Sequence, residues 1–137
     1  MGRLVTIIAA ICCLFPIICH AEELLEYTVL SGGNPAGFQK TKAISKTEYS
    51  IEYEYNDRGR GPKLSSQIVL NSNGIPSSIQ NNGVNYYKAA INETFKVEND
   101  TASWKNPAEQ GSKRFNGNEF YVSQNGVPEE EAILVRA

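Results

Sequence analysis

Residues 47–55 read TEYSIEYEY, and their alternation decides the fold. Large or β-branched side chains occupy the odd positions, and glutamate or serine occupies the even ones. Because successive side chains of a strand point to opposite faces of a sheet, this period predicts a strand with one buried and one solvated face. Tyrosine, isoleucine and threonine also favour strands. The predicted buried face comprises Tyr49, Ile51, Tyr53 and Tyr55.

The same period returns in residues 91–98, INETFKVE, where Glu93 is predicted to point inward with its apolar neighbours. Asn-Gly and similar pairs separate the extended runs, and they favour hairpins because both residues tolerate a positive φ. The sequence therefore predicts an all-β fold, a meandering antiparallel sheet curled into a half-barrel or flattened barrel. The remaining predicted strands are 26–30, 38–44, 64–70, 77–80, 102–105 and 119–122.

The C-terminal end departs from this β pattern. Residues 127–137 predict the start of a helix, because proline suits the first turn and three glutamates suit the positive helix end. We interpret Glu129, Glu130 and Glu131 as a helix-dipole feature and not as a calcium site. No stop signal follows, so the helix is expected to lead toward a missing C-terminal part. Residues 22–126 form the predicted antiparallel β domain.

Residues 1–21 have the organisation of a secretory signal peptide. Arg3 precedes an apolar run that is too short for a comfortable membrane span, and small residues favour cleavage after Ala21. A retained membrane anchor and a lipid-modified Cys19 are the alternatives. Cleavage would remove every cysteine and histidine of the chain, and with them any thiol nucleophile or imidazole base. The expected location is periplasmic or secreted.

The net charge of the chain is −2, which argues against a nucleic-acid partner, since such proteins carry a strongly basic face. No membrane partner is expected after cleavage of the signal peptide.

A basic loop follows the decisive strand, in residues 53–62, YEYNDRGRGP. Arg58 and Arg60 could bind a carboxylate or phosphate, with the adjacent glycines letting backbone amides approach it. Alternatively, the two arginines pair with nearby acids such as Glu52 or Glu54, or dock on a neighbouring domain. We prefer the structural or docking interpretation, because arginine–glycine loops without a partner motif are weak evidence for a ligand site.

Two further sets of side chains have both a functional and a structural interpretation. Glu48, Glu52 and Glu54 share one strand face, where a carboxylate pair could act in acid–base chemistry, but a solvated sheet face is the preferred interpretation. The aromatic residues could line a groove for a lipid or aromatic ligand, although such residues more often form a core. The aromatic set is Tyr49, Tyr53, Tyr55, Phe95, Trp104, Phe115 and Phe120. The sequence predicts no catalytic residue and no metal ligand.

Three motifs carry a resemblance to a known family. They are DRGRGP at 57–62, NSNGIP at 71–76 and ASWKNPAEQG at 102–111. With their flanking residues they resemble the β-rich N-terminal region of large secreted bacterial proteins in the amidohydrolase superfamily, in its imidazolonepropionase-like branch. The resemblance covers nearly the whole chain after residue 21.

The resemblance implies a parent enzyme with a metal-dependent (β/α)₈ barrel and a divalent metal such as zinc, held mainly by histidines. None of those ligands can be carried over, because residues 22–137 contain no histidine. The predicted function is therefore a non-catalytic N-terminal accessory module of an exported amidohydrolase-like hydrolase. Its expected partner is a following catalytic barrel domain. The alternative is a stand-alone periplasmic binding protein, whose curved sheet holds a lipid or other apolar ligand.

Overall fold

The computed structural model describes residues 23–137. The predicted signal peptide at residues 1–21 lies outside the described residues. No helix in the described part of the chain is long and apolar enough to cross a membrane. The elements are β1 (Glu23–Ser31), β2 (Asn34–Ala43), β3 (Glu48–Tyr55), β4 (Lys63–Leu70), β5 (Pro76–Val84), β6 (Ala90–Glu98), β7 (Thr101–Lys105), β8 (Gln110–Arg114) and α1 (Pro128–Arg136).

The eight strands form one antiparallel sheet in which each strand pairs with its neighbours in the chain. The sheet order is β1 to β8, and the two terminal strands do not pair with each other, so the sheet is not closed into a barrel. The predicted fold class is confirmed, with an open meander and a short C-terminal helix. This order follows from short turns between successive strands, since two-residue and similar connections allow only antiparallel neighbours.

One face of the sheet carries the core. Ile51, in the middle of β3, is fully buried, and Tyr49 and Tyr53 pack against the same cluster while remaining partly exposed. The strand register aligns Thr41, Ile51, Ser66, Asn81 and Glu93 in one row across β2 to β6. Every member of this row is buried, so the predicted inward direction of Glu93 is confirmed. The core cluster is Ile51, Leu64, Ile68, Ile79, Ile91, Phe95, Ala102, Val127 and Ile133.

Residues 115–127, here called the closing segment, cross this face and lead into α1. Val127 and Ile133 enter the core cluster and are 2% and 3% exposed. The helix begins at Pro128. In its first turn, the carboxylate of Glu130 accepts a hydrogen bond from the backbone N–H of Val127. The predicted helix start is therefore confirmed. Packing on the sheet explains why so short a helix forms, since an isolated helix of this length is marginal in water.

At the C-terminal end of the sheet, one strand prediction is wrong and one observed strand lacks a prediction. Residues 119–122 form no strand, because they belong to the closing segment, where Phe120 and Tyr121 pack against the core. The strand β8 was not predicted, because its sequence, QGSKR, has no apolar alternation and its side chains are almost all exposed. A tight turn creates it: the side chain of Asn106 accepts hydrogen bonds from the backbone of Ala108 and Glu109, both at 2.9 Å.

Candidate functional site

The basic loop places Arg58 and Arg60 around a single acid, Asp57. The Nε atom of Arg58 donates to Asp57 Oδ1 at 3.2 Å, and Nη2 of Arg60 lies 3.5 Å from Asp57 Oδ2. The predicted pairing of the arginines with a nearby acid is therefore observed, but the acid is Asp57 and not Glu52 or Glu54; Glu54 pairs with Lys63. The arginines therefore neutralise an acid of their own loop.

A tyrosine from the neighbouring hairpin completes this cluster. The hydroxyl of Tyr86 donates to Asp57 Oδ2 at 2.8 Å, and the guanidinium of Arg60 lies 5.7 Å from the centre of the Tyr86 ring. The hydrogen bonds from Tyr86 and then Arg58 lower the pKa of Asp57 below its ordinary value. Gly61 has a φ of 122°, and a Cβ there would lie 2.0 Å from the carbonyl oxygen of Tyr55. This glycine therefore permits a close backbone contact within the protein.

Replacing Arg58 and Arg60 together with alanine is expected to change the free energy of unfolding by less than about 1 kcal/mol, because exposed ion pairs contribute little. The side chain of Arg58 is 85% exposed and that of Arg60 is 56% exposed. Calorimetric titration with phosphate and acetate should detect no saturable binding to the parent or the variant. The variant Arg114→Ala is the control for loss of surface charge. Saturable anion binding that disappears only in the double variant would establish an anion site.

A buried hydrogen-bond network on the core face of the sheet joins Glu93 of β6 to the closing segment. Its Oε1 atom accepts hydrogen bonds from the Tyr121 hydroxyl and the backbone N–H of Gln124, both at 2.8 Å. Its Oε2 atom accepts the backbone N–H of Asn125 at 3.1 Å. The carboxylate is fully buried, and burial of such a group requires donors of this kind. Glu93 therefore fixes the closing segment on β6.

A second buried carboxylate, that of Glu130, joins α1 to strand β5. Its Oε1 atom accepts from Asn81 Nδ2 at 2.8 Å and from the backbone N–H of Val127 at 3.3 Å. The same Asn81 amide also lies 3.2 Å from the hydroxyl oxygen of Ser123. Burial raises the pKa of Glu130 above its ordinary value, against the opposing effect of its hydrogen bonds, and the nearby charge of Glu93 raises it further.

A third buried carboxylate, that of Glu129, anchors α1 to β2. The Oε2 atom of Glu129 accepts from Gln39 Nε2 at 3.2 Å and from the Thr41 hydroxyl at 3.3 Å. Its Oε1 atom pairs with Nη2 of Arg136 at 2.6 Å. The interpretation of the three glutamates as a helix-dipole feature is therefore incomplete. They do lie at the positive end of α1, but two of them are buried and bind specific strand side chains.

Replacing Glu130 with glutamine is expected to remove the loss of folding stability that ionisation of this buried carboxyl causes as the pH rises. Because the folded-state pKa of Glu130 lies above the ordinary value of 4.5, the folded parent binds more protons than the unfolded chain between those values. Its stability therefore falls as the pH rises through the folded-state pKa. Glutamine does not titrate, and its Oε1 atom still accepts from Asn81 and Val127.

The free energy of unfolding of Glu130→Gln, relative to the parent, should rise with pH across that window. Urea denaturation at a series of pH values measures it, with Glu131→Gln on the exposed side of the same turn as the control. A relative stability that stays constant or falls with pH would contradict the expectation.

The buried carboxylates do not fit a metal centre. Among residues 23–137, no group of three or more His, Cys, Asp or Glu side chains could hold a metal ion. Glu93, Glu129 and Glu130 each accept hydrogen bonds from the protein, which makes them anchors of the closing segment and helix. The residues that the structure describes therefore do not fit the zinc centre that the resemblance implies for the barrel. Each of these three carboxylates joins distant parts of the fold.

The aromatic side chains divide between the core and the surface. Phe95 is buried in the core cluster, whereas Trp104, Phe115 and Phe120 pack against it and stay partly exposed. A groove of about 340 Å³ lies between the closing segment, α1 and the β5–β6 hairpin. Its walls include Leu64, Tyr86, Phe120, Val122, Glu130 and Leu134. The predicted aromatic set thus supplies both core and accessible surface.

Comparisons with known proteins do not assign this chain to a family. No family model matches this chain, and no curated protein or solved structure matches it either.

Proposed function

We propose that this chain is a non-catalytic N-terminal accessory module of an exported, metal-dependent amidohydrolase-like hydrolase, and that it docks on the catalytic barrel domain of that enzyme. The resemblance of residues 57–62, 71–76 and 102–111 supplies the family. One structural observation carries the docking role, namely the apolar side chains exposed on the edge strand β1. Modules of this kind act by binding their neighbour, so the surface is the relevant feature.

The edge strand β1 combines apolar side chains with an unpaired backbone. Leu24 and Leu30, on the face away from the core, are 60% and 61% exposed, and Leu25 and Tyr27, on the core side, are 42% and 48% exposed. No strand among residues 23–137 pairs with its outer edge. A long apolar edge tends to pair with other chains, and soluble proteins normally cover or charge it. A docked domain would cover β1.

The end of α1 offers a second apolar surface. Leu134 and Val135 are 43% and 86% exposed, whereas Ile133 in the same turn is buried in the core. Apolar groups exposed together favour a protein contact over solvent. The barrel domain of the parent enzyme is the partner that the resemblance supplies for these side chains.

The first test is the coding sequence beyond Ala137. A reading frame that continues into a strand ending in His-x-His supports the proposal, and a stop codon after Ala137 would refute it. If the frame continues, the following domain and the present chain can be produced separately and titrated by calorimetry. Leu24→Ser with Leu30→Ser should weaken their association, while Thr28→Ser, an exposed polar change on the same strand, should not. Equal affinity of both variants would exclude β1 as the docking edge.

A stand-alone binding protein is the second candidate, and the groove of about 340 Å³ favours it. Ligand pockets of proteins commonly occupy about 300–1,000 Å³. Saturable binding of a fatty acid that is lost in Leu134→Asp, together with a stop codon after Ala137, would support this function over the accessory role.

Export is the remaining part of the proposal. Because the basic residue, the apolar run and the small residues of 1–21 favour cleavage after Ala21, the exported protein should begin at Glu22. N-terminal sequencing of protein from the periplasmic fraction measures this. A chain that still begins at Met1 and sediments with membranes would refute it.

A further inference from the structure

Four aromatic rings surround a cavity of about 250 Å³ at the β7–β8 end of the sheet. The rings belong to Trp104, Phe115, Phe120 and Tyr121, and each is only partly buried. The buried Phe95 also lines this cavity. Partly exposed rings around one cavity leave surface that a ligand can contact, whereas rings of a closed core contact only each other. We call this cavity the aromatic pocket.

Two of the rings are held in fixed positions by their surroundings. Trp104 lies opposite Gly111 on β8, and a Cβ at Gly111 would come within 2.5 Å of Trp104 Cζ2, so the ring occupies the space that any larger residue would fill. Tyr121 stacks on Phe95 with ring centres 4.6 Å apart and an angle of 5° between the planes. Its hydroxyl is tied to Glu93. A ligand therefore meets a site that is already formed.

The charged residues of the aromatic pocket are two acids and one base, namely Glu109, Glu119 and Lys113. Lys113 Nζ pairs with Oε1 of Glu119 at 2.8 Å. The Oε2 atom of the same carboxylate is buried, out of reach of a ligand in the cavity, and Asn116 also contributes hydrogen bonds that favour the ionised carboxylate. Lys113, as the main cause, lowers the pKa of Glu119, which keeps that group ionised. With two acids and one base, the lining of the aromatic pocket is negative overall.

We propose that the aromatic pocket binds a trialkylammonium group. Aromatic faces attract cations through the negative charge of the ring surface, and this attraction is the established basis of quaternary-ammonium recognition. Alkyl groups around the nitrogen match the apolar rings, while the negative charges of Glu109 and Glu119 match its positive charge. A metal ion would find too few oxygen ligands here, and a neutral apolar ligand would not balance the excess negative charge of the lining.

Trp104 is the only tryptophan of the chain, so its fluorescence reports on this pocket alone. The test titrates the full chain with choline and with 3,3-dimethylbutan-1-ol, which has nearly the same shape and no charge. We expect a saturable change with choline and about tenfold weaker binding of the neutral alcohol, in keeping with the strength of partly buried cation–π contacts. Equal binding of both compounds, or no saturable change with choline, would overturn the proposal.

Variants identify the groups responsible. Glu119→Gln should remove most of the preference for choline over the neutral alcohol, whereas Glu98→Gln, an exposed acid of β6 outside the pocket, should leave it intact. Gly111→Ala should displace the Trp104 ring and weaken both ligands. Circular dichroism verifies that each variant is folded. A preference unchanged in Glu119→Gln would exclude the carboxylate from the site.

A trialkylammonium group occurs in free small molecules and in trimethylated lysine side chains. Parallel titrations with choline, a trimethyl-lysine peptide and the same peptide with unmodified lysine separate the two sources. Stronger binding of the trimethylated peptide than of choline would identify a peptide ligand, and the reverse order would identify a small molecule. Equal binding of the modified and unmodified peptides would count against the proposal.

Discussion

Replacing Ile51 with alanine is expected to lower the free energy of unfolding by about 2–5 kcal/mol, the range for buried isoleucine in a packed core. Ile51 is fully buried in the centre of β3 and lies between Thr41 and Ser66 in the register of the sheet. The loss combines the removed apolar contacts with the cavity that remains, because the flanking strands cannot close over it. Urea denaturation of parent and variant measures the difference.

The matched control is Glu52→Ala, the next residue of the same strand on the solvated face. Its effect should stay within about 0.5 kcal/mol, as for most surface substitutions. Tyr53→Ala should fall between the two, because Tyr53 packs against the core but is only partly buried. Comparable small effects at positions 51 and 52 would mean that the assignment of the two faces is wrong.

Replacing Glu93 with alanine is expected to lower the free energy of unfolding by at least about 3 kcal/mol, because each of its three donors left without a partner costs roughly 1–3 kcal/mol. The variant would leave the backbone N–H groups of Gln124 and Asn125 and the hydroxyl of Tyr121 without their acceptor. Alanine would also leave a cavity beneath the closing segment. Urea denaturation measures the loss, and amide hydrogen exchange at Gln124 and Asn125 localises it.

Glu98→Ala is the control on the same strand, since Glu98 is exposed and pairs with the exposed Lys96. Its effect should stay below about 1 kcal/mol, as for surface ion pairs. Glu93→Gln should recover part of the loss, because one amide oxygen still accepts hydrogen bonds. A Glu93→Ala variant as stable as Glu98→Ala, with slow exchange retained at Gln124 and Asn125, would show that the carboxylate does not hold the closing segment.

Local sequence patterns predicted most of the sheet because its strands pair in chain order. The alternation around Ile51 identified a strand and its buried face without any knowledge of its partners. The same reasoning failed at residues 110–114, where the strand is an exposed edge and needs no apolar side. It also failed at 119–122, where Phe120 and Tyr121 are apolar because they lie on the core, not because they belong to a strand.

The functional features were less predictable, because their residues meet only through the fold. Glu93 gave a usable signal, since a glutamate within an apolar face must find donors. The residues of the closing segment that bind Glu93 gave no such signal in the sequence. Gln39 and Glu129 are 90 residues apart, and no local pattern links them. Glu119 and Trp104 likewise share a pocket only because the closing segment returns past β7.

The chain-order pairing of the sheet has a consequence for the time course of folding. Each hairpin closes a short loop, so the sheet can assemble from neighbouring segments at little entropic cost and at a high rate. The contacts of Glu93 and Glu129 with their partners close much longer loops, with separations of 31 and 90 residues. We expect the sheet to form first and the helix to dock last. Glu93→Ala should then accelerate unfolding far more than it slows refolding, and the open sheet would persist briefly as each new chain emerges.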